Sequence, residues 1–317
     1  MQHHKPFRFG VFSHNSTGKQ FLIAQAQRAE ALGYDTFLVP DHIGDAFDPS
    51  LALAMVADTT TSLRIGSYVF NNDFRHPLLL ARQAMTLDVL SNGRFEMGLG
   101  AGWMQSEYEQ MALPFDLPGV RIKRMEESLH IMKEYWVGSP LHISGKYYAV
   151  NDVHASLRSI QYPCPPLLIG GSGKRLLTLA AQHASIVGFA PKVGAVAIEA
   201  HMNDTLVGTD MLKEAVVQKM EWVHAAAGER INDLELNIVV LEVVPTSERQ
   251  KEAEKLAARF GLSCKQILMS PYFLIGSVEE MCEDLLLRRE NFGFSYIVIW
   301  EEYLDLFAPI VSLLAGK

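Results

Sequence analysis

The sequence predicts an α/β protein of the (β/α)8-barrel class with loop insertions. Two observations predict it. Short apolar runs alternate with amphipathic segments along the chain, and eight such runs can be counted. Strands separated by helical crossovers pair in parallel, and eight of them close a barrel. The competing fold, an open doubly wound sheet, is usually signalled by GxGxxG directly after the first strand. Here that strand is followed by Ser13-His14-Asn15-Ser16, which supports the barrel.

Phe7 to Phe12 reads as the first strand, and the helix from Lys19 to Leu32 closes at Gly33. Thr36 to Val39 is the second strand, Leu51 to Thr60 the second helix and Leu63 to Phe70 the third strand. Pro77 opens the third helix at its first position, where an N–H has no partner to lose. Ser91-Asn92-Gly93 ends that helix. Phe95 to Leu99 is the fourth strand, and Met125, Leu129, Met132 and Trp136 share one face of the helix beyond it. Gly138 to Pro166, rich in Pro, Gly, Tyr and Ser, is expected to leave the barrel as an insertion within a single domain spanning 1–317. Leu167 to Ile169 is the fifth strand, with a helix through Ala181, and Ile186 to Ala190 is the sixth. A long helix fits Asp204 to Ala227, and Leu236 to Val244 is the seventh strand. Ser277 and Glu280 form a capping box for a helix to Asn291. Tyr296 to Trp300 is the eighth strand, and the terminal helix carries Leu304, Phe307, Ile310 and Leu314.

A chain of 317 residues, 49% hydrophobic, has the size and composition of one such barrel. Its net charge of -8 argues against general affinity for nucleic acid or membrane surfaces. An anionic ligand therefore needs a local basic site. Cys164, Cys264 and Cys282 lie far apart, with no CxxC spacing. They read as three reduced thiols rather than a zinc site or a disulfide framework. Residues 1–9 carry no signal-peptide pattern, and no apolar run reaches transmembrane length. The expectation is a cytoplasmic protein without a bound metal.

Barrel enzymes build their sites at the C-terminal ends of the strands, which turns the strand order into a site map. Asp41-His42 follows the second strand, Asn71 to His76 the third, Gly100-Ala101-Gly102-Trp103 the fourth, and Gly170-Gly171-Ser172-Gly173-Lys174-Arg175 the fifth. In the last of these, a glycine-rich turn presents backbone N–H groups at a helix N-terminus, where an anion is favoured. Lys174 and Arg175 in that first turn oppose the helix dipole, and a bound phosphate would reverse the sign. A flexible turn with two solvated cations is the other reading. Gly98, Gly100 and Gly102 let backbone approach a flat ligand, or relieve crowding at a barrel rim. Trp103 is either a ligand wall or a cover on the rim. His42 can shuttle a proton near neutral pH, or it is a structural loop histidine. His76 precedes Pro77, so its backbone is extended, and it serves to set the helix entry.

Taken in order, several runs resemble the luciferase-like oxidoreductases, the bacterial luciferase or LLM superfamily. They are Arg75-His76-Pro77, Leu87 to Phe95 (LDVLSNGRF), Gly98 to Trp103 (GLGAGW) and Leu168 to Gly173 (LIGGSG), then Gly276-Ser277 with Glu279-Glu280, and Phe307-Ala308-Pro309. The resemblance implies a (β/α)8 barrel and either FMN or coenzyme F420, a deazaflavin with a phospholactyl-polyglutamate tail. The Asp41-His42 pair is similar to that of the F420-dependent branch. His42 would there exchange a proton with substrate while the deazaflavin C5 exchanges hydride. The resemblance also implies a cis peptide at Tyr68–Val69 against the ring, with Asp41 at the cofactor and Asn71 at the ring edge. Gly100, Ala101 and Gly102 would line the ring, and Gly170 to Arg175 would hold the phosphate. His14, Trp103 and Glu107 would line the substrate pocket. Some F420-dependent sugar-phosphate dehydrogenases have a glutamate where this chain has Trp103, which points here to a more apolar substrate face. A homodimer through the helices beside strands 2 and 3 is a further implication; Leu51, Leu53, Ala54 and Met55 lie there, and core packing is the equal reading of those four. The function expected is F420-dependent hydride transfer to or from a small organic substrate. The alternative is an FMNH2-dependent monooxygenase on the same barrel.

Overall fold

The computed structural model describes residues 5–44, 46–138, 140–192 and 208–317. By packing the chain divides into two units. A terminal unit comprises Met1–Phe12, Arg28–Thr36 and Gly170–Lys317, and a central unit comprises Ser13–Gln27 and Phe37–Ile169. The principal strands are β1 (Arg8–Phe12), β2 (Thr36–Val39), β3 (Arg64–Ser67), β4 (Phe95–Gly100), β5 (Leu167–Gly171), β6 (Ile186–Phe189), β7 (Glu235–Val239) and β8 (Phe294–Trp300). Their order is β3-β2-β1-β8-β7-β6-β5-β4, and β4 is bonded back to β3. That is a closed parallel (β/α)8 barrel with helical crossovers. β2, β4 and β8 are buried at every residue. Parallel strands covered on both faces read as continuous apolar runs, which is why the alternation was visible in the sequence.

In the terminal unit, β1 pairs with β8 from Arg8↔Tyr296 to Phe12↔Trp300, and β7 lies between β6 and β8. The seventh strand is shorter than the run Leu236 to Val244 suggests. It ends at Val239, and Glu242–Pro245 forms a separate parallel pair with Phe273–Gly276, a strand that periodicity did not reveal. The helix expected from Asp204 runs from Lys213 to Ala227, and the expected start lies outside the described residues. The Ser277–Glu280 capping box is formed in both directions, opening the helix Val278–Phe292.

In the central unit, β4 pairs with β3, with the short strand Phe70–Asn71 and with Leu167–Ile169 of β5. The third apolar run is therefore two strands, and the Tyr68–Val69 peptide bond between them is cis. Three helices begin with proline in the first turn, and two of them carry a side-chain cap. Asp48 caps Pro49–Thr59 through the N–H groups of Ser50 and Leu51, and His76 caps Pro77–Leu90 through that of Leu78. His76 has extended backbone, as a residue before proline requires. Met125, Leu129, Met132 and Trp136 are buried along the helix Pro118–Val137, which closes at the left-handed Gly138. Segment 138–166 holds an antiparallel pair, Leu141–Ser144 with Ala149–Val153. Its return is bound to the buried Asp88, which accepts from Ile160 N–H at 2.7 Å, Gln161 N–H at 3.0 Å and Gln161 Nε2 at 2.6 Å.

Among the described residues no helix is long and apolar enough to cross a membrane. Nor, among those residues, does any group of three or more His, Cys, Asp or Glu stand where it could hold a metal ion.

Arg94, inside the SNGRF run, closes two helices at once. It donates to the carbonyls of Ala57 (2.7 Å) in the last turn of one helix and of its cap Thr60 (3.2 Å), to Ser91 (2.8 Å) capping the other, and to Leu63 (2.6 Å) before β3. Helix C-terminal carbonyls lack intrahelical donors and favour a cation. Replacing Arg94 by Met is expected to lower stability by about 2–3 kcal/mol, read as a lower urea midpoint at unchanged slope. An unchanged midpoint would show that these carbonyls need no donor.

Candidate active site

The residues after β2, β3 and β4 converge within the central unit. His42 lies three residues past the end of β2, and Glu107 lies in the short helix Gln105–Gln110 beyond β4. The His42 Nδ1 and Glu107 Oε1 atoms are 2.8 Å apart, and the Ile43 N–H donates to the same oxygen at 2.8 Å. The His42 side chain is 31% exposed and that of Glu107 4%. The Trp103 ring meets the imidazole edge to face, with centroids 5.7 Å apart and an angle of 86°. Glu107, expected at the substrate pocket, is a buried partner of the histidine.

Two carboxylates brace the segment after β3. Asp41 takes both arms of Arg75, at 2.5 and 2.9 Å, and accepts the Asn71 N–H at 2.9 Å. Burial works against the Arg75 charge, and the hydrogen bonds and charge of Asp41 more than restore it. Asp41, expected at the cofactor, therefore spends both oxygens within the protein. Asp73 takes two donors from Arg124, at 2.8 and 2.7 Å, and the Tyr108 hydroxyl at 3.0 Å. Burial first, and then the Asp73 charge, push the Tyr108 phenol above its ordinary range, so it remains a donor. The Asn71 Oδ1, expected at a ring edge, accepts from the Asp73 N–H and the Tyr108 hydroxyl. Arg75, Tyr108 and Arg124 were missed as contributors because their partners lie 34 to 51 residues away.

The glycines at the end of β4 and just beyond it differ in their surroundings. A methyl group at Gly98 would overlap the Ser67 carbonyl oxygen, and one at Gly100 would stand 2.7 Å from the Val69 Cγ2. At these two positions the missing side chain makes room for the Ser67 carbonyl and the Val69 side chain. Gly102 has φ +73° and a Cβ there would meet the Tyr108 hydroxyl. The Ala101 and Gly102 carbonyls are held by Arg121 at 3.2 and 3.3 Å. Tyr68 and Val69 are half-buried beside them, and His14 is exposed in the loop after β1.

The terminal unit carries the glycine-rich turn. Gly170 and Gly171 end β5, and the helix Lys174–His183 starts at Gly173 with no side-chain cap. Nothing lies within 4 Å of a Cβ built at Gly173, whereas one at Gly171 would meet Leu176 Cδ2. Ser172 is half-buried, and Lys174 and Arg175 are exposed. The first-turn N–H groups are thus uncapped, with open space at the residue that begins the helix.

A separate cleft of about 330 Å³ in the central unit is lined by Asp73 to His76, Tyr108, Leu113, Pro114, Arg124 and Tyr148. His42 and Trp103 are not among its walls. Its two arginines are already matched by Asp41, Asp48, Asp73 and Asp116, so it carries no surplus positive charge for an anion.

The profile of the luciferase-like monooxygenase family matches residues 3–272, and the chain belongs to that family. An F420-dependent hydroxymycolic acid dehydrogenase of Mycobacterium tuberculosis is 28% identical over 181 residues, 55% of this chain and 49% of that one. The oxygenase component of a flavin-dependent trigonelline monooxygenase of Acinetobacter baylyi is 27% identical over 197 residues, 58% of this chain and 54% of that one. The chain spans about half the length of these relatives. The coenzyme F420-dependent tetrahydromethanopterin reductase of Methanopyrus kandleri superposes with a TM-score of 0.75, covering 98% of this chain and 99% of that one at 18% identity. That likeness is one of fold. The protein is a luciferase-like family member built on a (β/α)8 barrel.

The two kinds of glycine give a direct test. Gly98→Ala is expected to cost about 3 kcal/mol, because its methyl meets backbone. Gly173→Ala is expected to stay within about 1 kcal/mol of the parent. Equal urea midpoints for the two variants would refute the steric assignment.

Proposed function

We propose that the chain is an F420-dependent oxidoreductase that moves a hydride between the deazaflavin C5 and a small organic substrate. The reaction is either reduction of an activated C=C or C=N bond or oxidation of an alcohol. The observation that carries this reading is the half-exposed His42 beyond β2, backed by a buried carboxylate and edged by Trp103. A histidine so placed can give or take the proton that accompanies hydride transfer at carbon.

The residues fit such a cofactor. In the central unit, Tyr68, Val69, Gly100, Ala101 and Gly102 are assigned to the ring, with Asp41 and Asn71 bracing that wall from behind. In the terminal unit, Gly170 to Arg175 are assigned to the phosphate, because the uncapped first turn offers N–H donors and the two exposed cations favour an anion. F420, when bound, supplies hydride chemistry in a single two-electron step. His42 handles the proton, and Trp103 presents an apolar face that keeps water from it. His14 belongs to the substrate side of the same mouth. The M. tuberculosis dehydrogenase, named as F420-dependent, supports this reading.

The second reading is an FMNH2-dependent monooxygenase. It is favoured by the trigonelline monooxygenase relative, which matches a similar share of the chain.

Titrating the apo-protein with F420 and with FMN, by fluorescence or calorimetry, decides between them. Saturable F420 binding with weaker FMN binding is expected, and FMN binding alone would reverse the order. With a turnover assay established, His42→Ala is expected to lower kcat by about 10²–10⁴ while cofactor affinity changes no more than a few-fold. Unchanged turnover would remove His42 from the reaction.

A further inference from the structure

A histidine that carries protons has two ring nitrogens, and only one can face the substrate. Which one is free depends on what holds the other. Here the Glu107 Oε1 lies 2.8 Å from the His42 Nδ1 and also accepts the Ile43 N–H at 2.8 Å. A carboxylate offers acceptors and no hydrogen. The hydrogen in the His42–Glu107 contact therefore belongs to Nδ1, and Nε2 is left with its lone pair when the ring is neutral.

We propose that Glu107 is a positioning residue: it holds His42 as the Nδ1–H tautomer, so that proton exchange with substrate occurs at Nε2. The inference deepens the reading of His42 as the proton carrier and rests on it for its functional half. When Nε2 takes a proton from a substrate hydroxyl, the ring becomes an imidazolium whose Nδ1–H stays on Glu107. In the opposite direction Nε2 returns that proton. The carboxylate faces the imidazolium throughout and is not itself consumed.

Three features make this more than a chance contact. The Glu107 side chain is 4% exposed, so little water competes for it. The second donor to its oxygen is the main chain of the residue next to His42, which fixes the carboxylate relative to the histidine's own backbone. The following residue, Tyr108, is tied to Asn71 and Asp73, so the short helix carrying Glu107 is anchored to the segment after β3. Glu107 lies 65 residues from His42 and meets it at Nδ1.

The Ile43 N–H also makes the conservative variant informative. It needs an acceptor, so in Glu107→Gln the amide oxygen is held toward both donors and the tautomer is preserved. In Glu107→Ala nothing holds Nδ1–H, and the ring reverts toward the Nε2–H form that water favours for a free side chain.

The test is ¹⁵N NMR of the imidazole nitrogens in uniformly labelled protein, with the His42 signals assigned by their loss in His42→Ala. In the parent and in Glu107→Gln, the neutral ring is expected to show a protonated Nδ1 and an unprotonated Nε2. In Glu107→Ala that pattern should reverse or average. In turnover, Glu107→Ala should lower kcat about 10- to 100-fold, on the scale of other partners that orient a reacting group. KM should change little, and Gln should restore most of the loss. A parent His42 protonated on Nε2, or a tautomer indifferent to Glu107→Ala, overturns the inference whatever the turnover shows. A tautomer that shifts as described while turnover stays intact overturns instead the role of His42 in the reaction.

Discussion

The Asp41–Arg75 pair is the interaction on which the site is built. One carboxylate, buried directly before His42, holds both arms of an arginine and the N–H of Asn71. The loop after β2 and the segment after β3 are thereby one piece. A buried pair of this kind does little for net stability, because desolvation offsets much of the attraction. Removing one partner, however, leaves an uncompensated charge, typically at a cost of about 3–5 kcal/mol. Its value is geometric, since His42 cannot drift without breaking it.

The same logic repeats one strand on. Asp73 holds Arg124 and the Tyr108 hydroxyl, and Arg121 holds the carbonyls of Ala101 and Gly102. The helix Pro118–Val137 supplies both arginines, one turn apart. A helix outside the strand layer therefore fixes loops that would otherwise be free to move. Two glycines within β4 serve this arrangement. Gly98 and Gly100 leave room for Ser67 and Val69, so that the segment carrying the cis bond lies close against β4.

The chemistry that follows is spare. One imidazole is half-exposed, its partner carboxylate is buried, and an indole stands perpendicular to it. No second acid is needed beside them if the hydride partner is a bound cofactor, because the protein then has only a proton to manage. Trp103 in place of an acid makes that surface apolar.

Much of the fold was legible in the sequence, and for a local reason. Parallel strands buried on both faces are continuous apolar runs, and Pro77 and the Ser277–Glu280 box mark helix starts through their own backbone chemistry. The strand-end rule then named His42, Gly100 to Trp103 and Gly170 to Arg175 as the segments to watch. What the sequence could not decide was who holds whom. The third run breaks at Tyr68–Val69, and the stretch Glu242–Pro245 leaves the seventh strand to pair with Phe273–Gly276. Asp41 faces Arg75, and Glu107 faces the His42 Nδ1. A capping residue meets its partner within one helical turn, so periodicity reveals it. A buried carboxylate meets a donor 34 or 65 residues away, and only the closed barrel sets which donor that is.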